Sequence, residues 1–572
     1  MLKGIPINLE DFKEIIETDC YYVDKTKFIE ELLKDRAKVK LFCRPRRFGK
    51  TLNMSTLKYF FDIEKAEENR KLFEGLYIGN SPYFKEQGKY PVIFLTMKGI
   101  TSSDWQGILG DIREKIFKLC NQFDGVINSS LSEVESKKFQ RLLFQESEES
   151  ELKTALTFLT SILYKHYKQK VIVLIDEYDS PILTAFEKGY YTEMRDFFKS
   201  FYGDVFKTNE YLQMGILTGI IRVAQAGIFS DLNNLKTDII LNTKNYSQYF
   251  GLLESEVEEA LKYYEIDYKL DDVKEWYNGY TFGNTQVYNP WSILNYLENQ
   301  ELIAYWVNTS SNYLIREILK NSNQEVFKNL EKLFNKEELL TRIENNVEVH
   351  THLTENEIYS LMLYSGYLTL KEKVTSDIYS IRIPNKEIMS FFHTTFISIV
   401  FNRITVIDNV KIALITRNLK LLEESIEKLI MENLSSFDKN KEAQVSDKNL
   451  RLCLNNHSRS KELLDYWKNS YHMFLLGFLV AMKTDYEPHS NIESGYGRAD
   501  IILEPLYRNR TGYILELKLA KDEEDLKKKA EEGARQIELK KYTQFLESKG
   551  VKDIVKIGVA FEGKKVEFRC ID

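Results

Sequence analysis

Short apolar runs alternate with amphipathic helical stretches over the first 250 residues of the chain. The strand-like runs lie at 39–43, 91–95, 171–175, 212–217 and 238–241. Between them, apolar residues recur at the three- and four-residue spacing of a helix, as they do over 52–60. Strands that alternate with helices are typical of parallel βαβ units, so this part of the chain predicts an α/β domain with a parallel sheet.

The pattern changes after residue 250. Amphipathic helices predominate up to about residue 435, and the polar segment that follows is the clearest candidate linker. Beyond it, a helix near 462–482 precedes two adjacent strands, a basic helix and a last strand near 555–560. The sequence therefore predicts a parallel-sheet domain over 1–250, a helical middle region over 251–435, a linker over 436–460 and a separate α/β domain over 461–572.

Composition limits the class of protein. The chain has 572 residues, of which 43% are hydrophobic and 29% are charged, a mixture that is usual for globular proteins. The best apolar run, around 474–482, is shorter than the roughly 18 residues of a membrane span, and the N-terminus lacks the features of a signal peptide. Five scattered cysteines without metal-like spacing fit a reducing compartment. We therefore expect a cytoplasmic protein with no membrane segment.

A basic turn follows the first strand-like run and leads into a helix. Its sequence, Arg44-Pro45-Arg46-Arg47-Phe48-Gly49-Lys50-Thr51, ends in the Gly-Lys-Thr of a phosphate-binding loop. In such a loop, backbone N–H groups face the phosphates, the lysine reaches the β- and γ-phosphates, and the hydroxyl holds Mg²⁺. We expect ATP to be bound by Arg46, Arg47, Phe48, Gly49, Lys50 and Thr51. Arg44 stands where the general pattern has a glycine, so a basic turn that caps a helix is the alternative interpretation.

Two carboxylates follow the third strand-like run. Asp176 and Glu177 come directly after five apolar residues, as at the end of a buried parallel strand. Because ligands of open α/β sheets bind at that edge, we expect Asp176 to hold Mg²⁺ together with Thr51. Glu177 would orient or deprotonate the attacking water. A strand end with two solvated acids is the plainer alternative, but the two elements together predict ATP binding.

The next strand-like run ends close to Thr218 and Arg222. Thr218 would lie at the same sheet edge, where a polar side chain can sense the γ-phosphate. Arg222 would neutralise charge in the transition state, either directly or across the interface of a homo-oligomer. A surface ion pair is the other interpretation of Arg222, and the sequence does not decide between them.

Acidic and basic side chains also converge near the C-terminus. Asp500 begins one strand-like run, and Glu516 and Lys518 lie two residues apart in the next, so both leave the same face of their strand. Two carboxylates with a lysine can hold Mg²⁺ or Mn²⁺ and direct a water onto a phosphodiester. A Glu-x-Lys pair alone is a weak signal, because a chain with 29% charged residues contains several by chance.

The helix after these strands carries many positive charges. They are Lys527, Lys528, Lys529, Arg535, Lys540 and Lys541. Such a face could follow the phosphate backbone of a nucleic acid, with DNA favoured, although the net charge of the whole chain is −7. A solvated helix, in which these charges alternate with Glu531, Glu532 and Glu538, is the alternative.

In combination, these motifs resemble the predicted AAA-ATPase-like proteins of bacteria that carry a C-terminal PD-(D/E)XK nuclease-like domain. The resemblance rests on Tyr-Val-Asp-Lys-Thr at 22–26, the loop at 44–52, Asp-Glu-Tyr-Asp at 176–179, Thr-Gly-Ile at 218–220, Phe-Ser-Asp-Leu-Asn-Asn at 229–234, Trp-Tyr-Asn-Gly-Tyr at 276–280, Tyr-Asn-Pro-Trp-Ser at 288–292, Tyr-Ser-Gly-Tyr-Leu-Thr at 364–369 and Ile-Pro-Asn-Lys-Glu at 383–387. It spans nearly the whole chain. In this family an Arg-Pro opening of the phosphate loop is usual.

The resemblance implies the fold and further roles. It implies an α/β P-loop NTPase domain with an AAA-like parallel sheet, a helical middle region that forms a lid or a winged-helix-like unit, and a C-terminal PD-(D/E)XK nuclease-like α/β domain. Gln536 and Tyr542 match a pattern of RecB-like nucleases, in which Gln536 would stabilise the metal site or the bound DNA. The family's helix before the first strand usually adds an acid near a Tyr-His pair, whereas Tyr471-His472 here has its nearest acids at Asp465 and Glu462.

The function expected from the sequence is ATP binding and hydrolysis coupled to metal-dependent cleavage of nucleic acid, in defence or mobile-element biology. ATP and Mg²⁺ are the expected cofactors. One alternative is an ATP-dependent regulatory switch whose C-terminal domain binds nucleic acid without cleaving it. Another is a non-enzymatic interaction protein in which both sites have decayed, against which the intact Gly49-Lys50-Thr51 and Asp176-Glu177 argue.

Overall fold

The computed structural model describes most of the chain. It covers residues 2–127, 131–222, 228–229, 232, 234–306, 324–334, 337–346, 353–392, 404–437, 485–507, 510–562 and 565–571. The chain divides into two compact units, Met1–Met389 and Ser390–Asp572. Among the helices that the structure describes, none has the length and apolar composition that a membrane crossing requires.

The first unit is built on a parallel sheet. Its elements are α1 (Phe12–Glu17), α2 (Lys27–Lys34), β1 (Val39–Cys43), α3 (Lys50–Phe61), α4 (Ala66–Arg70), β2 (Val92–Thr96), α5 (Trp105–Ile127), α6 (Glu133–Leu143), α7 (Glu149–Lys153), α8 (Ala155–Tyr167), β3 (Val171–Asp176), α9 (Ser180–Lys188), α10 (Tyr191–Phe206), β4 (Leu212–Gly219) and β5 (Leu235–Asp238). The strand order is β2-β3-β4-β1-β5, and all neighbours are parallel. The predicted α/β fold is confirmed. Every residue of β1 and β3 is buried, as their continuous apolar runs predicted.

The last strand of this sheet lies earlier than the sequence predicted. The strand expected at 238–241 is observed at Leu235–Asp238. After Asp238 the chain turns, because the N–H of Asn242 and that of Thr243 both donate to the carbonyl of Ile239. The apolar run therefore marked the buried turn that follows the strand rather than the strand itself.

The rest of the first unit is helical, with two small antiparallel sheets. Its elements are α11 (Glu254–Tyr263), α12 (Leu270–Tyr277), β6 (Tyr280–Phe282), β7 (Thr285–Val287), α13 (Pro290–Asn299), α14 (Gln324–Phe334), β8 (Leu339–Arg342), α15 (Glu355–Ser365), β9 (Thr369–Lys373) and β10 (Ile378–Arg382). Strands β6 and β7 form a hairpin, and the other three have the order β8-β10-β9. The sequence did not predict these strands, which are three to five residues long.

The second unit has a mixed sheet between helices. Its elements are α16 (Ile404–Thr416), α17 (Leu419–Phe437), β11 (Tyr486–Ser494), β12 (Gly497–Pro505), β13 (Gly512–Leu519), α18 (Glu523–Leu539), α19 (Gln544–Ser548), β14 (Ile554–Glu562) and β15 (Lys565–Ile571). The strand order is β11-β12-β13-β14-β15, and only β13 and β14 are parallel. The adjacent strands, the basic helix and the last strand that the sequence predicted correspond to β12, β13, α18 and β14.

Helices α16 and α17 belong to the second unit. Their buried residues, among them Val410, Leu414 and Ile426, share a core with Ile501, Leu515 and other residues of the C-terminal sheet. The sequence had assigned these helices to the middle region, because the polar segment after about residue 435 was the clearest candidate linker. Most of the expected linker, the expected helix near 462–482, and Asp465, Tyr471 and His472 lie outside the described residues.

Small residues bring α18 unusually close to the sheet. A Cβ built on Gly558 in β14 would lie 1.8 Å from the carbonyl oxygen of Ala530, and one on Gly533 would lie 3.0 Å from the carbonyl oxygen of Glu516. Only glycine fits at Gly558, because any side chain there would push the helix backbone away. This contact decides how far side chains of α18 reach across β13.

A buried carboxylate holds the middle region of the first unit together. Glu387 is fully buried and accepts hydrogen bonds from the Ser292 hydroxyl and from the backbone N–H groups of Tyr305 and Trp306, each at 2.7 Å. It thus joins α13 to the segment at 305–306. Burial raises the pKa of Glu387 to about 7, although these three donors favour the charged form.

We expect the stability of the first unit to fall as the pH rises from about 4.5 to about 7, since the folded chain retains a proton on Glu387 that the unfolded chain releases. Glu387→Gln keeps the shape of the side chain and removes the titration. It should abolish a pH-dependent part of the free energy of unfolding that amounts to at most about 3 kcal/mol. Urea unfolding at stepped pH measures this, with the exposed Glu74→Gln as a control. The prediction would be contradicted if the free energy of unfolding of Glu387→Gln fell with rising pH as steeply as that of the wild type.

Candidate functional site

The phosphate-loop sequence forms a tight turn between β1 and α3. Gly49 is the residue before α3, with a left-handed backbone at φ +76° that favours glycine. The first N–H groups of α3 therefore face the end of the sheet. Lys50 is buried, and its Nζ donates to the carbonyl oxygens of Arg44 at 3.1 Å and Pro45 at 2.8 Å. Burial lowers the pKa of Lys50, and the charges of Glu177 and Asp176 oppose that shift.

Arg44, which replaces the first glycine of the general pattern, has a structural role. It is fully buried and donates to the carbonyl oxygens of Cys43 at 2.9 Å and Asp238 at 3.0 Å. It also forms an ion pair with the Asp238 carboxylate and lies 4.9 Å from the ring of Phe250. These contacts tie the end of β1 to the end of β5, so Arg44 supports the loop from within the protein.

The three residues between Pro45 and Gly49 differ in what they contact. Phe48 is fully buried, with its ring 4.9 Å from that of Tyr280, so only its backbone remains for a ligand. The guanidinium of Arg47 lies 4.3 Å over the ring of Trp291 and 3.5 Å from Glu10. Arg46 is exposed. Of the six expected ATP ligands, Gly49, Lys50 and Thr51 therefore converge at the sheet edge, while Arg47 and Phe48 attach the loop to its surroundings.

Asp176 lies at the centre of the carboxyl edge of the sheet. It is fully buried, and its Oδ2 accepts a hydrogen bond from the Thr51 hydroxyl at 2.8 Å. Its other oxygen, Oδ1, accepts from the hydroxyl of Thr218. Because β4 lies between β1 and β3, Thr218 lies on the strand that separates β1 from the strand of Asp176. Hydroxyl and carboxylate oxygens are the ligands that Mg²⁺ prefers, so Thr51 and Asp176 fit this ion.

Glu177 follows Asp176 with a left-handed backbone, φ +54°, which is uncommon for a residue other than glycine. Its N–H donates to the Thr218 hydroxyl at 3.4 Å. Burial raises the pKa of Glu177, and the nearby charge of Lys50 opposes the shift. A carboxylate whose pKa is moved toward neutrality is suited to accept a proton from water.

Two residues to which the sequence analysis gave no role connect the ends of β3 and β4. Asp179 is buried, and its Oδ2 accepts from the N–H groups of Ile220 at 2.7 Å and Ile221 at 2.9 Å. Tyr178 donates its hydroxyl to the carbonyl oxygen of Ile221 at 2.8 Å. In the sequence, Asp179 was one more acid in an acidic motif, and nothing in its spacing indicated backbone partners about 40 residues away.

Arg222 directly follows this connection and is partly buried. Burial raises the pKa of Cys43 and that of Tyr364, and the positive charge of Arg222 opposes both shifts. Arg222 therefore lies near the end of β1, the strand that enters the phosphate loop. Its role in neutralising charge stays a prediction, as does the ion-pair alternative.

A second group of side chains converges in the other unit. Lys518 Nζ donates to Glu516 Oε1 at 3.0 Å and to Gln536 Oε1 at 2.6 Å. The amide of Gln536 in turn donates to Glu516 Oε1 at 2.7 Å and to the Tyr542 hydroxyl at 3.2 Å. The close packing of α18 on the sheet makes this possible, since Gln536 must reach across to β13.

Asp500 is buried beside this group. Its Oδ2 accepts from the N–H of Leu517 at 2.8 Å. The pairing of β12 with β13 is observed up to Ile501 and Leu515, so Asp500 and Glu516 are the next positions on the two strands. Two carboxylates thus lie on adjacent strands and can supply oxygen ligands to a divalent cation. Within the described residues, no group of three or more His, Cys, Asp or Glu side chains is arranged to hold a metal ion.

The positive charges of the basic helix and of the turn after it fall into two groups, those paired with glutamates and those without such a pair in the part of the chain that the structure describes. Lys529 pairs with Glu532 at 2.6 Å and Arg535 with Glu531 at 3.9 Å, as in a solvated helix. Lys527, Lys528, Lys540 and Lys541 are exposed, and no ion pair of theirs is found among the described residues. These four lysines therefore remain as cations that a nucleic acid could contact.

Comparisons with known proteins agree with both units. Residues 6–229 match the family model of a predicted AAA-ATPase, and residues 468–569 match that of the PD-(D/E)XK nuclease superfamily. A curated relative, described as an uncharacterized protein in the vnfD 5'region of Azotobacter chroococcum mcd 1, is 28% identical over 392 residues, 68% of each chain. The chain thus combines a predicted AAA-ATPase domain with a PD-(D/E)XK nuclease superfamily domain, and the resemblance seen in the sequence is confirmed.

We expect Asp179→Ala to destabilise the first unit by about 2 kcal/mol or more, because it leaves the buried N–H groups of Ile220 and Ile221 without an acceptor. Asp179→Asn keeps an acceptor oxygen and should cost less. Asp204→Ala, at an exposed position of α10, should change the free energy of unfolding by at most about 0.5 kcal/mol. Urea unfolding measures all three. Equal effects of Asp179→Ala and Asp204→Ala would show that the connection contributes no stability.

Proposed function

We propose that the chain binds and hydrolyses ATP with its N-terminal unit and cleaves nucleic acid, DNA above all, with its C-terminal unit. The contact of the Thr51 hydroxyl with Asp176 Oδ2 at 2.8 Å carries the first half, because it unites the phosphate loop with the acidic strand end. The matches to an AAA-ATPase model and to the PD-(D/E)XK superfamily support both halves.

In the ATP site each side chain has one task. Lys50, which now donates to loop carbonyl oxygens, would turn its Nζ to the β- and γ-phosphates. Thr51 and Asp176 would hold Mg²⁺, which offsets the charge of the phosphates when it is bound. Glu177 would orient or deprotonate the attacking water.

Two further residues would act on the phosphates. Thr218 would respond to the γ-phosphate, and its hydrogen bond to Asp176 supports this role. Arg222 would neutralise charge that develops during hydrolysis, from the same subunit or from a neighbouring one in a homo-oligomer.

In the nuclease-like site, Asp500 and Glu516 would hold Mg²⁺ or Mn²⁺, and Lys518 would orient the water or offset charge on the scissile phosphate. Gln536 would keep Lys518 and Glu516 in place, since it bonds to both. ATP state would gate cleavage in the cytoplasm, in genome defence or mobile-element biology. A reducing compartment is supported by the free thiols of Cys20, Cys43, Cys120 and Cys570.

One observation favours the alternative of a regulatory switch that binds nucleic acid without cutting it. Lys518 and Gln536 both donate to Glu516 Oε1, so a cation at this oxygen would have to displace them. In this case ATP hydrolysis would control nucleic-acid binding alone.

We expect Lys50→Ala to lose nucleotide affinity, because it removes the charge that faces the phosphates. Glu177→Gln should keep the affinity within about threefold and lower the hydrolysis rate by about 10²-fold or more, since it removes the general base. Binding of a fluorescent ATP analogue and phosphate release measure the two effects. Lys65→Ala, at an exposed position after α3, is the matched control. If both variants hydrolysed ATP like the wild type, this site would be assigned wrongly.

We expect Asp500→Ala and Glu516→Ala each to abolish cleavage and to leave ATP hydrolysis without nucleic acid nearly intact, because the two sites lie in different units. Lys518→Ala should slow cleavage and keep metal binding. The assay uses labelled single- and double-stranded DNA and RNA with Mg²⁺ or Mn²⁺, with and without ATP, and Glu547→Ala, at an exposed position of α19, as control. Absence of cleavage by the wild type under all conditions would favour the switch. Cleavage by the double variant would place the active site elsewhere.

A further inference from the structure

The turn between β11 and β12 is fixed against the turn that follows α18. The N–H of Tyr496 donates to the carbonyl oxygen of Lys540 at 2.7 Å, and the Ser494 hydroxyl donates to that of Tyr542 at 2.6 Å. Gly495 has φ +56°, and a Cβ built there would lie 2.1 Å from the carbonyl oxygen of Lys540. The backbone on both sides of Tyr496 is therefore held in one position.

This fixed turn presents an exposed aromatic ring among cations. Tyr496 is 68% exposed, and Lys541 Nζ lies 5.3 Å over its ring. Lys540 and Arg498 are exposed nearby, and the ion pair that Arg498 forms with the exposed Glu493 is long at 3.8 Å. A tyrosine whose backbone is already fixed loses little entropy when a flat ligand stacks on it.

The backbone next to Tyr496 leads toward the nuclease-like site. A Cβ on Gly497, the next residue, would lie 3.0 Å from the Tyr542 hydroxyl, which accepts from Gln536, the partner of Glu516. Asp500 follows Tyr496 by four residues along β12, a distance of about 13 Å at the rise of a strand. A strand of nucleic acid that touches Tyr496 could therefore continue to Asp500 and Glu516.

We propose that Tyr496, Lys540, Lys541 and Arg498, the Tyr496 platform, bind single-stranded nucleic acid and lead it to the nuclease-like site. A base stacks on the tyrosine ring while the three cations contact phosphates, a combination that serves any base because each has a flat face. A duplex has no unstacked base to offer. The proposal rests on the proposed function in that its ligand is a nucleic acid, and it names the strand state of that ligand.

The test measures binding of the full chain to a labelled oligothymidylate of 20 nucleotides and to a blunt DNA duplex, by fluorescence anisotropy without divalent cations. Tyr496→Ala should weaken oligothymidylate binding by about five- to hundredfold, the range expected for one lost stack, and change duplex binding by less than about twofold. Tyr496→Phe should restore the affinity. Lys541→Gln should reduce the slope of log affinity against log salt by about 0.7.

The matched control is Tyr507→Ala. Tyr507 is 56% exposed in the turn after β12 and also lies under a cation, with Arg510 4.7 Å from its ring, but at the other end of the strand. The Tyr507→Ala variant should bind oligothymidylate like the wild type. Thermal unfolding should show that Tyr496→Ala remains folded, since the ring is exposed. The same measurement with oligouridylate shows whether the sugar contributes to binding. If stacking alone acts, Tyr496→Ala should weaken the binding of oligothymidylate and of oligouridylate equally.

The platform would be overturned if Tyr496→Ala and Tyr507→Ala lost equal affinity for oligothymidylate, or if Tyr496→Ala lost none. A wild type that binds no oligonucleotide would overturn it as well. The outcome for cleavage is separate. Loss of oligothymidylate affinity in Tyr496→Ala, together with a wild type that cleaves nothing, would support the platform and refute the nuclease. If instead the chain cleaves single strands in a Glu516-dependent way and Tyr496→Ala binds them as the wild type does, the nuclease is supported and the Tyr496 platform is refuted.

Discussion

The carboxylate of Asp176 organises the end of the parallel sheet. A fully buried carboxylate is costly unless its oxygens accept hydrogen bonds, and here the hydroxyls of Thr51 and Thr218 supply them. Those two residues come from α3, just after β1, and from β4. One side chain therefore joins three neighbouring elements close to Lys50 and Glu177, whose charges act on each other. The Thr51 hydroxyl and the Asp176 carboxylate, which are hydrogen-bonded to each other, also carry the kind of oxygen ligand that a magnesium ion prefers.

Other charged side chains of the first unit perform similar structural tasks. Arg44 joins the ends of β1 and β5, Asp179 joins the segments after β3 and β4, and Glu387 joins α13 to the segment at 305–306. In each case a buried ionisable side chain meets backbone groups that would otherwise lack partners, which is how a protein tolerates a polar group in its interior. Residues of motifs that look chemical in the sequence thus also join separate elements of the first unit.

In the second unit, close packing of a helix on the sheet positions the side chains of the candidate site. Gly558 and Gly533 let α18 approach the sheet until Gln536 can bond to both Lys518 and Glu516. A side chain at Gly558 would push α18 away from the sheet and move that amide away from its partners. The acidic pair of the site, Asp500 and Glu516, depends only on the pairing of β12 with β13, whereas its supporting amide depends on two glycines.

The sequence alone determined what depends on local pattern. Apolar runs of strand length between helical stretches predicted the parallel sheet, and the rule that ligands bind at its carboxyl edge predicted that Lys50, Thr51, Asp176 and Thr218 lie together. The two-residue spacing of Glu516 and Lys518 predicted their common face. Only the tertiary structure decided the role of Arg44, whose partner Asp238 is 194 residues away, the assignment of α16 and α17 to the second unit, and the meeting of Tyr496 with Lys541. The reason is physical: periodicity describes which face of an element is apolar, whereas the partner of a long polar side chain is chosen by contacts between elements far apart in the chain.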